Sequence, residues 1–171
     1  MRPLGAQLAG TGAERDEEAR LQRLVESRHW DAARFEKATG WDVPRFRNFL
    51  DTVCRPYAAD YARFPTNSAD AGDGYYLNNG WFDGVDAEVL YSIIRHTAPA
   101  TIVEVGSGNS TRLMRRAIRE GSASTRIISI DPQPRADVHA FCDEHIPQPV
   151  ERLRQEDIAA RLSPGDILFI D

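Results

Sequence analysis

Several features that mark particular classes of protein are scarce or missing in this sequence. Only two cysteines occur, Cys54 and Cys142, and they form neither a CxxC pair nor a disulfide framework, so a reducing cytosol is the expected setting. No apolar run approaches the roughly 20 residues of a membrane span, and the N-terminus has no secretory apolar core with a cleavage site. No metal-ligand signature stands out either, so no residue is assigned to a metal site.

An excess of positive charge is also missing. The net charge is −5 at pH 7, whereas proteins that bind nucleic acid or a membrane surface non-specifically are usually basic. We therefore expect neither partner and favour a small-molecule substrate. With 171 residues, of which 42% are hydrophobic, the chain is long enough for one α/β domain with a sizeable core and some additional residues.

The first third of the chain predicts helices without a diagnostic motif. Residues 1–13 show no periodicity and are expected to form a mobile tail. A charged, helical pattern follows, and a second helix is predicted from Asp42 as N-cap, with Pro44 in its first turn. We interpret residues 14–64 as an N-terminal helical cap on a domain that occupies residues 65–171.

The most informative stretch is residues 101–111, which read TIVEVGSGNST. β-branched residues surround Glu104 and suit a buried strand, and Gly106 and Gly108 allow a tight turn and a close backbone approach to a ligand. The residues after them continue at helical spacing. A strand, a glycine turn and a helix N-terminus are the arrangement by which an open α/β sheet holds a nucleotide.

Strands and helices alternate around this stretch. The predicted elements are, in order, a long loop over 64–84, a helix from 83–85 to 96, the strand at 101, a helix over 110–120, a strand over 126–130, a helix over 135–145, a strand over 150–153, a helix over 158–162 and a strand over 166–171. This alternation predicts a Rossmann-like α/β fold with an incomplete parallel sheet of about four strands. The last strand ends at Asp171 without a covering element, so we expect a truncated domain and self-association through the open sheet edge.

Two carboxylates stand at the ends of neighbouring predicted strands. Glu104 interrupts an apolar strand, where it is expected to accept hydrogen bonds from glycine-loop amides or a ligand's ammonium group; a salt bridge to an arginine is the alternative. Asp131 lies 131 − 108 = 23 residues after Gly108, close to the spacing of about 20 at which an acidic residue binds ribose hydroxyls. Thr111 occupies the third glycine position of the dinucleotide fingerprint, and the lysine of a P-loop is absent, which disfavours a phosphate cradle.

Three blocks of sequence resemble a known family. They are NGWFDGVDA at 79–87, IVEVGSGNST at 102–111 and GDILFID at 165–171. Together they are similar to class I S-adenosylmethionine-dependent methyltransferases, and more narrowly to the group called methyltransferase family 24. The resemblance covers residues 75–171 and implies a cytoplasmic enzyme that transfers a methyl group from S-adenosylmethionine to a small acceptor, with a hydroxyl as the expected target.

The resemblance also implies roles for particular residues. Asp131 is expected to bind the ribose hydroxyls, and one of residues 155–157, here assigned as Asp157, to lie near the adenine. Asp171 is expected to face the methyl group and the acceptor as the candidate catalytic residue; binding of a metal or of the cofactor's ammonium group is the alternative. The residues expected to bind the cofactor are Asn79, Phe82, Glu104, Gly106, Ser107, Gly108, Ser110, Asp131 and Asp157. Two other functions remain open. One is that of an NAD(P)-dependent oxidoreductase, which uses the same strand, glycine turn and acidic residue. The other is that of a non-catalytic remnant, which binds the cofactor or nothing.

Overall fold

The computed structural model describes residues 12–31, 40, 42–72, 74–122, 124–134 and 137–171. Spatial contacts divide the chain into two compact units, residues 1–43 and 44–171. The described part of the first unit holds helix α1 (Gly12–Glu26) and a 3₁₀ turn (His29–Asp31). Most of the predicted tail, residues 1–11, lies outside the described residues. Its last two residues begin α1.

The second unit opens with a series of short helical segments. They are helix α2 (Val43–Phe49), a π turn (Leu50–Cys54), a 3₁₀ turn (Arg55–Tyr57) and the one-turn helices α3 (Ala58–Tyr61) and α4 (Ser68–Ala71). Helix α2 begins directly after Asp42, as the sequence predicted, because Pro44 in the first turn gives up no intrahelical hydrogen bond. From residue 44 on, these segments belong to the unit that also holds the sheet, whereas the sequence placed the division at residue 64.

Four parallel strands form the sheet of this unit. They are β1 (Thr101–Val105), β2 (Arg126–Ile130), β3 (Glu144–Ile146) and β4 (Ile167–Ile170), in the order β3-β2-β1-β4. This sheet confirms the predicted Rossmann-like α/β class. Val105 pairs with Ile130 on one side and with Ile170 on the other. The carboxyl ends of three strands therefore meet at one end of the sheet, which is where ligands of such folds bind.

Longer helices flank the strands. Helix α5 (Gly84–Thr97) precedes β1, α6 (Asn109–Glu120) follows it, and α7 (Gln155–Ala159) precedes β4 after a 3₁₀ turn at Val150–Arg152. The bounds of α5 and α6 confirm the predicted helices to within a residue at each end. Gly121 ends α6 as expected, and its N–H donates to the carbonyl of Ala117 at 3.0 Å. No helix in the described part of the chain has the length and apolar character needed to cross a membrane.

Successive residues of β1 and β2 send their side chains into two separate cores. Ile102 and Ile127 are buried in the larger core, which includes side chains of α5 and α6. Val103 and Ile128 are buried in the other core, against which Ile158 of α7 packs. Each fully buried aliphatic side chain stabilises the fold by about 1.5–3 kcal/mol. The residues that follow β1 are thus held by a strand buried on both faces.

Strand β4 lies at the edge of the sheet and pairs with β1 alone. Its side chains alternate in burial: Leu168 and Ile170 are 48% and 70% exposed, whereas Ile167 and Phe169 pack against the larger core. The open edge that the sequence indicated is therefore present within the described residues. Self-association through this edge stays a prediction.

The segment between β2 and β4 differs from its prediction. The predictions of a helix over 135–145 and a strand over 150–153 are wrong. Residues 135–136 lie outside the described part of the chain, residues 137–143 form a turn with irregular backbone on either side, β3 spans Glu144–Ile146, and residues 150–152 form a 3₁₀ turn. Asp143 causes much of this difference, because its Oδ2 accepts the N–H of Ile127 at 2.7 Å and pairs with Nη2 of Arg115 at 2.6 Å. These bonds fasten the chain beside β2. The helix expected near 158 begins three residues earlier, as α7.

Candidate functional site

Two cavities adjoin each other at the carboxyl ends of β1, β2 and β4. The first, here called the loop cavity, has a volume of about 310 Å³ and is lined by Tyr76, Asn79, Trp81, Phe82, Ser107, Gly108, Asn109, Arg112 and Asp171. The second, the strand-end cavity, has a volume of about 340 Å³ and is lined by Gly106, Ser107, Asp131, Gln133 and Asp171. Ser107 and Asp171 border both cavities. This is the location at which open α/β sheets bind nucleotides.

The two glycines of the turn after β1 serve different purposes. Gly106 has a φ of +81°, and a Cβ at this position would lie 3.2 Å from the backbone oxygen of Asp171. A side chain there is disfavoured both by the left-handed backbone and by this contact. At Gly108, which lines the loop cavity, no atom lies within 4 Å of the position that a Cβ would occupy. The backbone at Gly108 is therefore open to the close approach of a ligand.

Glu104 lies fully buried below the glycine turn. Its Oε1 accepts a hydrogen bond from Oγ of Ser110 at 2.7 Å, and its Oε2 accepts one from Oγ1 of Thr111 at 2.6 Å. Thr111 Oγ1 in turn accepts the N–H of Gly108 at 3.0 Å. The partners of Glu104 are thus two hydroxyls of the first turn of α6, in place of the loop amides or the arginine that the sequence suggested. Glu104 lines neither cavity, and its contact with a ligand stays a prediction.

The surroundings of Glu104 change its acidity. Burial, the largest effect, raises the pKa of this carboxyl from 4.5 to about 7, although the hydrogen bonds from Thr111 and Ser110 act in the opposite direction. The nearby carboxylates of Asp171 and Asp131 raise the pKa further. Three acidic side chains therefore lie near one another at this end of the sheet, and the region favours a bound cation over a bound anion.

Asp131 is held at the end of β2 by backbone amides. Its Oδ2 accepts the N–H of Ser107 at 2.7 Å, and its Oδ1 accepts the N–H of Gln133 at 2.7 Å. Its backbone oxygen is 2.8 Å from Nε2 of His145. A carboxylate oxygen is able to accept more than one hydrogen bond, so both oxygens of Asp131 retain capacity for hydroxyl groups of a ligand in the strand-end cavity. The side chain is fixed where the sequence predicted a ribose contact.

Asn79 organises the aromatic loop that forms one wall of the loop cavity. Its Nδ2 donates to the carbonyls of Tyr76 and Phe82, both at 2.8 Å. Its Oδ1 accepts the N–H groups of Trp81 and Phe82 at 3.0 and 2.9 Å. Phe82 also packs edge to face on Phe169 of β4, with 5.9 Å between the ring centroids. The loop is therefore an ordered part of the site and is tied to the sheet.

The structure brings most of the predicted site residues together. Seven of them line one or both cavities, namely Asn79, Phe82, Gly106, Ser107, Gly108, Asp131 and Asp171. Ser110 is buried and lies next to them: its Oγ is 3.1 Å from Oδ2 of Asp171 and also donates a hydrogen bond to Glu104. Asp157 lies apart in α7, where it lines neither cavity and pairs with Arg154 at 2.7 Å. Its part in cofactor binding stays a prediction.

Five further residues line the cavities without having been assigned to the site from the sequence. They are Tyr76, Trp81, Asn109, Arg112 and Gln133. Tyr76 and Trp81 lie in the long loop that precedes α5, and Asn109 is the first residue of α6. The position of Arg112 was predictable from helical spacing. It lies one helical turn after Gly108, and therefore on the side of α6 that faces the glycine turn.

Comparison of the chain with family models, with curated proteins and with solved structures finds no match. In the described residues no group of three or more His, Cys, Asp or Glu side chains is placed to hold a metal ion. The fold and the site together define an α/β protein with a Rossmann-like sheet and a candidate ligand site at the carboxyl ends of its strands. Any narrower assignment rests on the chemistry of that site.

Proposed function

We propose that this chain binds S-adenosylmethionine and belongs to a methyltransferase that acts on a small molecule through a hydroxyl group. The observation that carries the proposal is the concentration of acidic groups around the glycine turn. Asp131 and Asp171 line the strand-end cavity, and Glu104 lies buried just below it. S-adenosylmethionine presents a sulfonium, an ammonium group and ribose hydroxyls, all of which carboxylates bind well.

The same features argue against the nicotinamide alternative. A dinucleotide places its pyrophosphate on the free amides of the glycine turn. Here the N–H of Ser107 donates to Asp131, and the N–H of Gly108 donates to Thr111, so both amides have partners within the protein. A pyrophosphate at this position would also lie close to like charges. The site therefore suits a cationic cofactor better than an anionic one.

The residues of the chain can be assigned separate tasks in methyl transfer. When bound, S-adenosylmethionine supplies a methyl group on a sulfonium that is already a good leaving group, so the protein chiefly positions the reactants. Asp131 orients the ribose, and Gly108 allows the cofactor to approach the backbone. Asp171 borders both cavities, where its carboxylate accepts the proton of an acceptor hydroxyl. Phe82 and Trp81 form the aromatic wall of the loop cavity, beside the glycine turn.

Titration calorimetry of the chain with S-adenosylhomocysteine tests the proposal, with NADH as the competing ligand. Asp131→Asn removes the charge of the ribose contact with little change in shape, and Asp51→Asn is the matched control, because Asp51 is a surface residue paired with Arg55. We expect saturable binding of S-adenosylhomocysteine that weakens at least about tenfold in Asp131→Asn, the loss of one charge-assisted hydrogen bond or more. The control is expected to bind as the wild type does.

Three results would contradict the proposal. Saturable binding of NADH in place of S-adenosylhomocysteine would favour the oxidoreductase. A chain that unfolds cooperatively but binds neither ligand would favour the non-catalytic alternative. Equal weakening by Asp131→Asn and Asp51→Asn would mean that the ligand responds to overall charge, so that Asp131 has no specific part in the site.

A further inference from the structure

A third cavity lies on the other side of Arg112 and has a different electrostatic character. Its volume is about 320 Å³, and three arginines of α6 line it: Arg112, Arg116 and Arg119. They are spaced i, i+4 and i+7, so they share one face of the helix. Like charges at this spacing oppose each other, and the chain as a whole is acidic, with a net charge of −5. We call this space the arginine cavity.

Arg112 has hydrogen-bonding capacity that the protein leaves unused. Its Nε atom is buried and has no hydrogen-bond partner among the described residues. Its guanidinium lies over the ring of Phe141, 5.5 Å from the centroid. The ring stabilises the positive charge but accepts none of the in-plane N–H groups. A buried donor without a partner is destabilising unless a ligand or water completes it.

Two carboxylates, Glu120 and Asp70, also line the arginine cavity, and both have hydrogen-bond partners in the protein. Glu120 accepts a hydrogen bond from Nε of Arg116 at 2.9 Å and from the hydroxyl of Tyr91 at 2.6 Å. Asp70 accepts one from Nδ2 of Asn67 at 2.8 Å. Among the described residues, neither Arg112 nor Arg119 forms an ion pair with these acids. Two of the three cations in the cavity wall therefore have no ion-pair partner in the part of the chain that the structure describes, although the carboxylate of Asp70 also lines the cavity.

From this geometry we infer that the arginine cavity binds an oxyanion group, either a carboxylate or a phosphate, carried by a small molecule. Guanidinium groups present several N–H donors in a plane and match the oxygens of both groups. The cavity is large enough to hold more than the anionic group itself. Arg112 also lines the loop cavity, so it forms a wall that the two spaces share. The inference does not depend on the identity of the cofactor.

Arginine side-chain NMR on the full chain tests this inference directly. The Nε–H signals are followed while sodium phosphate and, separately, sodium citrate are added at constant ionic strength maintained with chloride. We expect the Arg112 signal, assigned through Arg112→Lys, to shift saturably with at least one of the two anions. The anion that binds more tightly identifies whether the group is a phosphate or a carboxylate.

Arg119→Gln provides the decisive variant, because Arg119 is exposed and its replacement should not prevent folding. We expect it to weaken anion binding about tenfold, the loss of a charge-assisted hydrogen bond. Arg47→Gln removes an equal charge from the exposed surface of α2 and is expected to leave the affinity unchanged. No saturable shift with either anion would overturn the inference, and so would an equal weakening by both substitutions.

The outcome is separable from that of the cofactor proposal. Arg119 lines neither the loop cavity nor the strand-end cavity. Arg119→Gln is therefore expected to retain the wild-type affinity for S-adenosylhomocysteine while it loses affinity for the anion. A chain that binds the anion and no S-adenosylhomocysteine would support the arginine cavity and contradict the proposed function, and the reverse result would do the opposite.

Discussion

The side-chain amide of Asn109 donates a hydrogen bond to the side-chain oxygen of Asn79, with 3.1 Å between Nδ2 and Oδ1. The two residues are 30 positions apart in the chain. Asn109 is the first residue of α6, directly after the glycine turn, and Asn79 holds the aromatic loop together. This bond therefore joins the two walls of the loop cavity, the aromatic loop on one side and the glycine turn with α6 on the other.

A double-mutant cycle of Asn79→Ala and Asn109→Ala measures this connection. Asn79→Ala leaves several loop donors and acceptors without partners, so we expect it to lower the free energy of unfolding by about 2 kcal/mol, and Asn109→Ala by about 1 kcal/mol. The coupling energy from urea unfolding should be about 0.5–1 kcal/mol. Asn48→Ala, an exposed residue of α2, is the control partner and should show no coupling. Additive effects of the first pair would contradict a direct bond.

The predictions that succeeded concern elements specified by adjacent residues. The β-branched run before Gly106 and the apolar spacing up to Gly121 act within a few residues, and β1 and α6 follow them closely. The prediction for the segment after β2 was wrong for the opposite reason. Its conformation depends on Asp143 bonding to Ile127 and on Arg115, which are distant in sequence. A pattern of local spacing contains no information about such bonds.

The site residues show the same difference between features set by local sequence, which were predicted, and features set by distant contacts, which were not. Glu104, Asp131 and Asp171 were predicted because each stands at the end of a strand, and parallel strands bring their carboxyl ends together. Gln133 was missed, because the turn after β2 places it in the strand-end cavity. Arg112 was missed although its position one helical turn after Gly108 puts it on the same side of α6. The bonding of Glu104 to hydroxyls was missed as well, although Ser110 and Thr111 stand next to the glycine turn in the sequence.

Asp143→Ala tests the account of the mispredicted segment. The substitution leaves the backbone N–H of Ile127, in a fully buried strand residue, without its partner and frees Arg115 from its ion pair. We expect the free energy of unfolding to fall by about 2 kcal/mol, measured by urea denaturation. Asp137→Ala is the matched control, because Asp137 is exposed and accepts a single bond, from the N–H of His139. An equal, small effect of both substitutions would exclude the proposed cause.

Gly106→Ala tests whether the glycine turn is required by the backbone or by packing. A left-handed φ costs a non-glycine residue about 1–2 kcal/mol, and at Gly106 the added Cβ would also meet the backbone of Asp171 at 3.2 Å. Gly80→Ala is the matched control, because Gly80 has a similar φ of +76° and no atom within 4 Å of its Cβ position. In thermal or urea unfolding we expect Gly106→Ala to be the more destabilising. If the two variants are equally stable, the contact with Asp171 has no energetic consequence.

From the raised pKa of Glu104 we predict how the free energy of unfolding depends on pH. In the folded protein this carboxyl has a pKa of about 7, against 4.5 ordinarily, so between these values the folded state holds a proton that the unfolded state has lost. Glu104 therefore contributes stability below pH 4.5 that disappears as the pH rises through 7. The full change corresponds to roughly 3 kcal/mol, from 1.36 kcal/mol per pKa unit.

Urea unfolding of the wild type and of Glu104→Gln across this pH range isolates the effect, because subtraction removes the titration of all other groups. The difference in free energy of unfolding, wild type minus variant, should fall as the pH rises from about 4.5 to 7 and become constant above it. Glu151→Gln replaces an exposed carboxylate and serves as the control for removing an acid without burial. If the Glu104→Gln difference instead rises with pH, the carboxylate is stabilised in its charged form, and the hydroxyls of Ser110 and Thr111 outweigh burial at this position.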